Sequence, residues 1–113
     1  MSLNNLKISL APHMATIQAI RGTGAIRLLL FLADHMTAGN EVRLTTREIC
    51  RATGLSAAKV RKDIRKLEAL HFVVRVHQGL ALVDPRIAWR GPRSWWENNI
   101  VRFDEEWDRA RER

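Results

Sequence analysis

Tyrosine is absent from this sequence, which excludes the phenol nucleophile used by some strand-cutting enzymes. Cys50 is the single cysteine, so no internal disulfide can form, in keeping with a reducing compartment. Long apolar runs are missing as well. The longest, Leu28 to Ala33, falls far short of the ~20 residues that span a bilayer, and no basic segment followed by an apolar block opens the chain. A cytoplasmic protein with no membrane partner is therefore expected. There is no phosphate loop of the G-x-x-x-x-G-K-[ST] kind, and Gly22-Thr23-Gly24 reads as a helix break, not a dinucleotide fingerprint. His13, His35, His71 and His77 do not stand at metal-ligand spacings from one another or from Cys50. No catalytic residue, metal or cofactor is expected, and the chain is read as a non-enzyme. Acids are in deficit: 12 stand against 19 lysines and arginines, giving a net charge of +7 and a pI near 11.0. That balance points to a polyanionic partner.

The chain has 113 residues, 46% of them hydrophobic and spread along its length, which suits one modest core. Leu6, Ile8 and Leu10 alternate with polar residues and predict a short strand before Pro12. A short helix over Met14 to Ile20 comes next, then a central apolar helix over Ala25 to Met36 that Gly39 and Asn40 close. Glu41 to Leu44 reads as a short strand. Thr45-Thr46-Arg47-Glu48 matches a capping box, so a helix begins there and ends at Gly54. Ser56 caps the next helix. On a 100° wheel Val60, Ile64, Leu67 and His71 form its apolar stripe, and Ala58, Lys59, Arg61, Lys62, Arg65 and Lys66 take the opposite arc. Asp63 and Glu68 flank the stripe. A helix built for solubility mixes signs on its outer face; this one does not. Phe72 to His77, a turn at Gln78-Gly79 and Leu80 to Val83 predict a β-hairpin. An irregular stretch is expected between Pro85 and Pro92, and a last amphipathic helix from Ser94 onward.

Two short helices joined at Thr53-Gly54-Leu55 and followed by a hairpin give the order of a winged helix-turn-helix. The predicted fold class is α+β, mainly α, with a short N-terminal strand and an added C-terminal helix. Residues 1–93 are read as the winged helix-turn-helix domain and 94–113 as the amphipathic helix. Charge respects the same division: Glu41 to His77 holds nine cations and four acids, whereas Ser94 to Arg113 holds four cations and six acids.

The segment "LTTREICRATGLSAAKVRKDIRKLEALHFVVRV" resembles the winged-helix core of many bacterial transcription regulators. Its continuation, "GLALVDPRIAWRG", is similar to the RepL-type replication proteins of small plasmids and phages, with Asp84 where that family usually has Asn. The resemblance implies binding to duplex DNA at an origin or operator through the helix after Gly54, in replication initiation or copy control, with host replication proteins as further partners. It implies a place on the plasmid or nucleoid. In such folds the second helix enters the major groove, which makes Ser56, Ala57, Ala58, Lys59, Arg61, Lys62, Arg65 and Lys66 the candidates. Arg61 and Arg65 suit guanine edges, and the lysines suit phosphates. Thr45, Thr46 and Arg47 are placed for phosphate, and Arg75 and His77 for a neighbouring groove or backbone. A transcriptional repressor and a protein-binding winged helix are the alternative readings. Trp96, Ile100, Phe103 and Trp107 form a stripe that either packs on its own domain or pairs across a two-fold axis; a homodimer is expected.

Overall fold

The computed structural model describes residues 6–8, as backbone, and 24–112. In chain order these form β1 (Leu6–Ile8), α1 (Gly24–His35), β2 (Glu41–Val42), α2 (Thr46–Thr53), α3 (Ala57–Ala69), β3 (Val73–His77), β4 (Leu80–Val83), β5 (Ala88–Arg90), a 3-10 turn (Arg93–Trp95) and α4 (Trp96–Arg111). The fold is α+β and winged-helix-like, as the sequence predicts. The helix expected over Met14 to Ile20, and Leu10, lie outside the described residues.

Local chemistry sets the helix ends. Thr45 accepts the Glu48 N–H at 3.1 Å, and Glu48 accepts the Thr45 N–H at 3.0 Å, closing the capping box. The backbone N–H of Thr45 holds the Glu48 carboxyl below its ordinary pKa. Gly54 ends α2 at φ 76°, a left-handed conformation that lets the chain turn into the next helix. Ser56 accepts the Lys59 N–H and starts α3. At the far end His71 takes φ 64°, donates to Glu68 O, and is followed by Phe72 donating to Leu67 O. That is a Schellman ending with histidine where glycine is usual. The ring of His71 holds the position by filling the space between Phe103 and Trp107, 5.0 and 4.6 Å away between centroids.

Strands β2, β4 and β3, in that order, make an antiparallel sheet. All four side chains of β4 are buried, and they alternate between two cores. Ala81 and Val83, with Val73 of β3, face the large core of α1, α2 and α3, around Leu28, Leu32, Ile49, Val60 and Leu67. Leu80 and Leu82, with Val74, face the other way onto Phe103 of α4. The Nε1 of Trp107 donates to Glu68 O at 2.8 Å, and that of Trp96 to Pro85 O at 2.9 Å. Both indoles thus dock on the chain's own backbone. Of the stripe Trp96, Ile100, Phe103 and Trp107, Phe103 is 1% exposed and packs on the chain's own sheet, whereas Trp96 remains 36% exposed. Residues 94–112 accordingly add a layer to the sheet of the preceding domain.

The stretch between Pro85 and Pro92, expected to be irregular, contains β5. Its partner is β1, antiparallel, with Leu6 opposite Arg90 and Ile8 opposite Ala88. Asn40 secures it. Its buried amide donates to Val83 O at 2.9 Å and Ala88 O at 2.7 Å and accepts the Arg90 N–H at 2.9 Å. Its φ of 61° is one that asparagine tolerates. Asp84 is buried too. It accepts from the backbone N–H and Nε of Arg86 and lies 3.3 Å from His71 Nδ1. Arg86 continues to Asp104, which ties the base of the hairpin to α4. Burial opposes the charge of Arg86, but its bonds to Asp84 and Asp104 outweigh this and raise its pKa.

The Asn40 and Glu41 contacts can each be tested by one substitution. Asn40→Ala strips three buried backbone groups of their partners, each costing about 1–3 kcal/mol, so thermal melts should show a fall in Tm of at least ~10 °C for a domain of this size. Glu41 bridges Arg43 at 2.7 Å and Arg102 at 2.9 Å. Burial pushes its carboxyl up, yet the two guanidinium groups prevail and hold its pKa low. Its contribution is complete above the ordinary glutamate value of about 4.3 and is lost as pH falls through the lower folded value. In urea titrations Glu41→Gln should therefore flatten the loss of stability below that pH.

Candidate nucleic-acid interface

The first turns of α2 and α3 and the tip of the β3–β4 hairpin open onto one cleft of about 580 Å³. Thr45, Thr46, Arg47, Ser56, Ala57 and Arg61 line it, all expected in the site, and Gln78 joins them from the hairpin tip. Cys50 and Leu55 form its floor, where the two helices cross. The charged side chains on the lining are arginines. Two arginines with no acid beside them on the lining favour an anion.

Beyond the cleft, Ala58, Arg61, Lys62 and Arg65 are exposed along the outer face of α3, and Lys66 is half-buried at its margin. Elsewhere four acids are matched with cations: Glu41 with Arg43 and Arg102, Asp84 and Asp104 with Arg86, Glu106 with Arg109. Among the described residues Arg61, Lys62, Arg65 and Lys66 make no ion pair. The segregation read from the wheel thus holds for these four residues, which form an unneutralised cationic ridge.

Two of the expected contacts, Lys59 and Arg75, are bonded within the fold. Lys59 turns inward, its Nζ 3.0 Å from Asp63 Oδ1. Asp63, expected at the flank of the stripe, is fully buried, because the start of α1 packs over that side of α3. Gly24 makes the approach possible: a Cβ there would lie 2.8 Å from Lys59 Nζ and 3.1 Å from Asp63 Oδ2. The spacing of Lys59 and Asp63, four residues apart, was the available sequence signal.

Arg75 also serves the scaffold. It folds back from β3, with Nη1 donating to Leu44 O at 3.1 Å and Nη2 to Thr46 Oγ1 at 2.7 Å, and does not reach outward from the hairpin. Burial lowers its pKa, partly offset by Glu68; a guanidinium stays charged regardless. The bond from Arg75 also occupies the Thr46 hydroxyl. His77 is exposed at the tip, where its Nδ1 accepts the Gly79 N–H at 3.2 Å. Gln78 was not anticipated, since nothing in a turn dipeptide tells toward which helix it leans. Trp96, Ile100, Phe103 and Trp107 belong to α4 on the opposite side of the sheet.

Among the described residues no helix is long and apolar enough to cross a membrane, and no group of three or more histidine, cysteine, aspartate or glutamate side chains could hold a metal ion. Comparison with protein families gives a match over residues 1–113 to the family described as Firmicute plasmid replication protein (RepL). No curated protein and no solved structure matches the chain.

The division of the α3 cations into inward and outward members is testable by substitution. Lys59→Ala leaves Asp63 buried without its partner and should destabilise the fold by about 1–3 kcal/mol in urea unfolding. Lys62→Ala removes an exposed charge and should stay within about 0.5 kcal/mol of the parent.

Proposed function

We propose that this chain, which belongs to the RepL family of Firmicute plasmid replication proteins, binds duplex DNA through the outward face of α3 and marks a site on its plasmid for replication. One observation carries the reading: Arg61, Lys62, Arg65 and Lys66 stand together on α3 with no acid paired to any of them, whereas Arg43, Arg86, Arg102 and Arg109 each meet a carboxylate. Holding like charges together is unfavourable unless a polyanion relieves it. The second helix of a helix-turn-helix presents such a face to the major groove. Arg61 and Arg65, one turn apart on the exposed arc, take guanine edges; Lys62 and Lys66, with Arg47 and the N–H groups at the start of α2, take phosphates. No nucleophile, metal or cofactor enters this proposal, so the chain locates the site and other proteins supply the enzymology.

The family favours replication over promoter control, which would use the same surface. As to a second copy, the outward face of α4 sets Glu97, Glu105, Asp108 and Glu112 around exposed Val101. Like charges would meet if that face paired with itself, so α4 is assigned to buttressing the sheet.

Binding to a 24-bp duplex should weaken steeply with salt, with a slope of roughly −4.5 in log–log form if about five phosphates are contacted. Arg61→Ala or Arg65→Ala should reduce affinity for the best duplex selected from a random pool by ~1–3 kcal/mol and relax one base pair, whereas Lys62→Ala should weaken all duplexes alike. No binding to any duplex at low salt would overturn the proposal.

A further inference from the structure

The hairpin tip is short, held down and poor in charge. Arg75 is anchored on Leu44 and Thr46 at the start of α2. The register of β3 on β4 jumps between Arg75 and His77, which makes Val76 an extra residue in the strand. Such a bulge bends a strand and re-aims the residues beyond it. The His77 ring then closes the tip on the Gly79 N–H. Gln78, between them, is exposed and stands on the rim of the cleft shared with Thr46, Ser56 and Arg61.

A wing that grips a neighbouring backbone or minor groove needs cations at its tip and free length to reach. This hairpin has neither: its cation Arg75 is folded back, and β4 is buried on both faces up to Leu80. The tip instead offers a carboxamide, a paired donor and acceptor that matches N7 and N6 of adenine in the major groove. We infer that Gln78 is a base-reading residue in the same major groove that α3 enters, and that Arg75 is the positioning residue that sets it there. The inference rests on the duplex DNA reading of α3. It makes the hairpin the second wall of one reading cleft, and the contacted site correspondingly compact.

The experiment compares two probes: the best 24-bp duplex selected from a random pool by the parent chain, and a random-sequence duplex of the same length. Gln78→Ala changes an exposed residue and leaves folding intact. It should lose about tenfold in affinity for the selected duplex, with random-duplex affinity and salt slope unchanged. Arg75→Lys keeps the charge but cannot hold Leu44 O and Thr46 Oγ1 together. Selection repeated with this variant should relax the same base pair that Gln78→Ala relaxes, an outcome that lowered stability alone would not produce. Arg65→Ala serves as the reference. If it weakens selected binding while Gln78→Ala does not, the role of Gln78 is overturned and the reading of α3 stands. If Arg75→Lys relaxes a different base pair or none, its positioning role is overturned. If the parent binds neither duplex, both readings fall together.

Discussion

A strand turns successive side chains to opposite sides, so Leu80-Ala81-Leu82-Val83 can all be buried only if apolar material covers both faces of the sheet. The rest of the architecture answers to that requirement. On one side the three helices around Leu28, Leu32, Ile49 and Leu67 supply the cover; on the other Phe103 and its neighbours on α4 do. A hairpin so enclosed is a structural wall. Its two covers are also tied to each other, since Trp107 bonds the last turn of α3 and Arg102 bonds Glu41 of β2. Helix α3 is therefore supported at its C-terminal end by α4 and at its N-terminal end by the turn at Gly54.

Charge is organised by the same layering. Glu41 and Asp84 near the sheet, and Asp104 and Glu106 on α4, meet Arg43, Arg86, Arg102 and Arg109. The one acid drawn under α3, Asp63, takes Lys59 with it. The charge left outward on α3 is cationic without compensation. A partition of this kind needs few residues: the net charge of +7 sets the surplus, and the fold decides which cations are left to express it.

How much of this the sequence announced depended on the range of the interaction. The Thr45–Glu48 box, the Gly54 turn and the Ser56 cap each involve residues within three or four positions, and all are found where the pattern predicts. The exposed arc of α3 was legible for the same reason. Contacts between distant segments were not. β5 is too short to show a period, and it is a strand only because β1, from the far end of the chain, lies beside it. The inward turn of Lys59 depends on the start of α1, and the fold-back of Arg75 on a carbonyl 31 positions away. The amphipathic pattern of α4 showed that it must cover something, but a stripe of that kind carries no mark of whether the other surface belongs to the same chain.

The pairing of β1 with β5 bears on how the molecule is made. A ribosome delivers Leu6–Ile8 long before Ala88–Arg90, and chains begin to fold as they emerge. The N-terminal strand must therefore pass most of synthesis without its partner, and the apolar side of Leu80 and Leu82 is bare until α4 has left the exit tunnel. The helix pair that carries the cationic ridge is complete well before either event, so the surface proposed to meet DNA forms first and the parts that brace it arrive last.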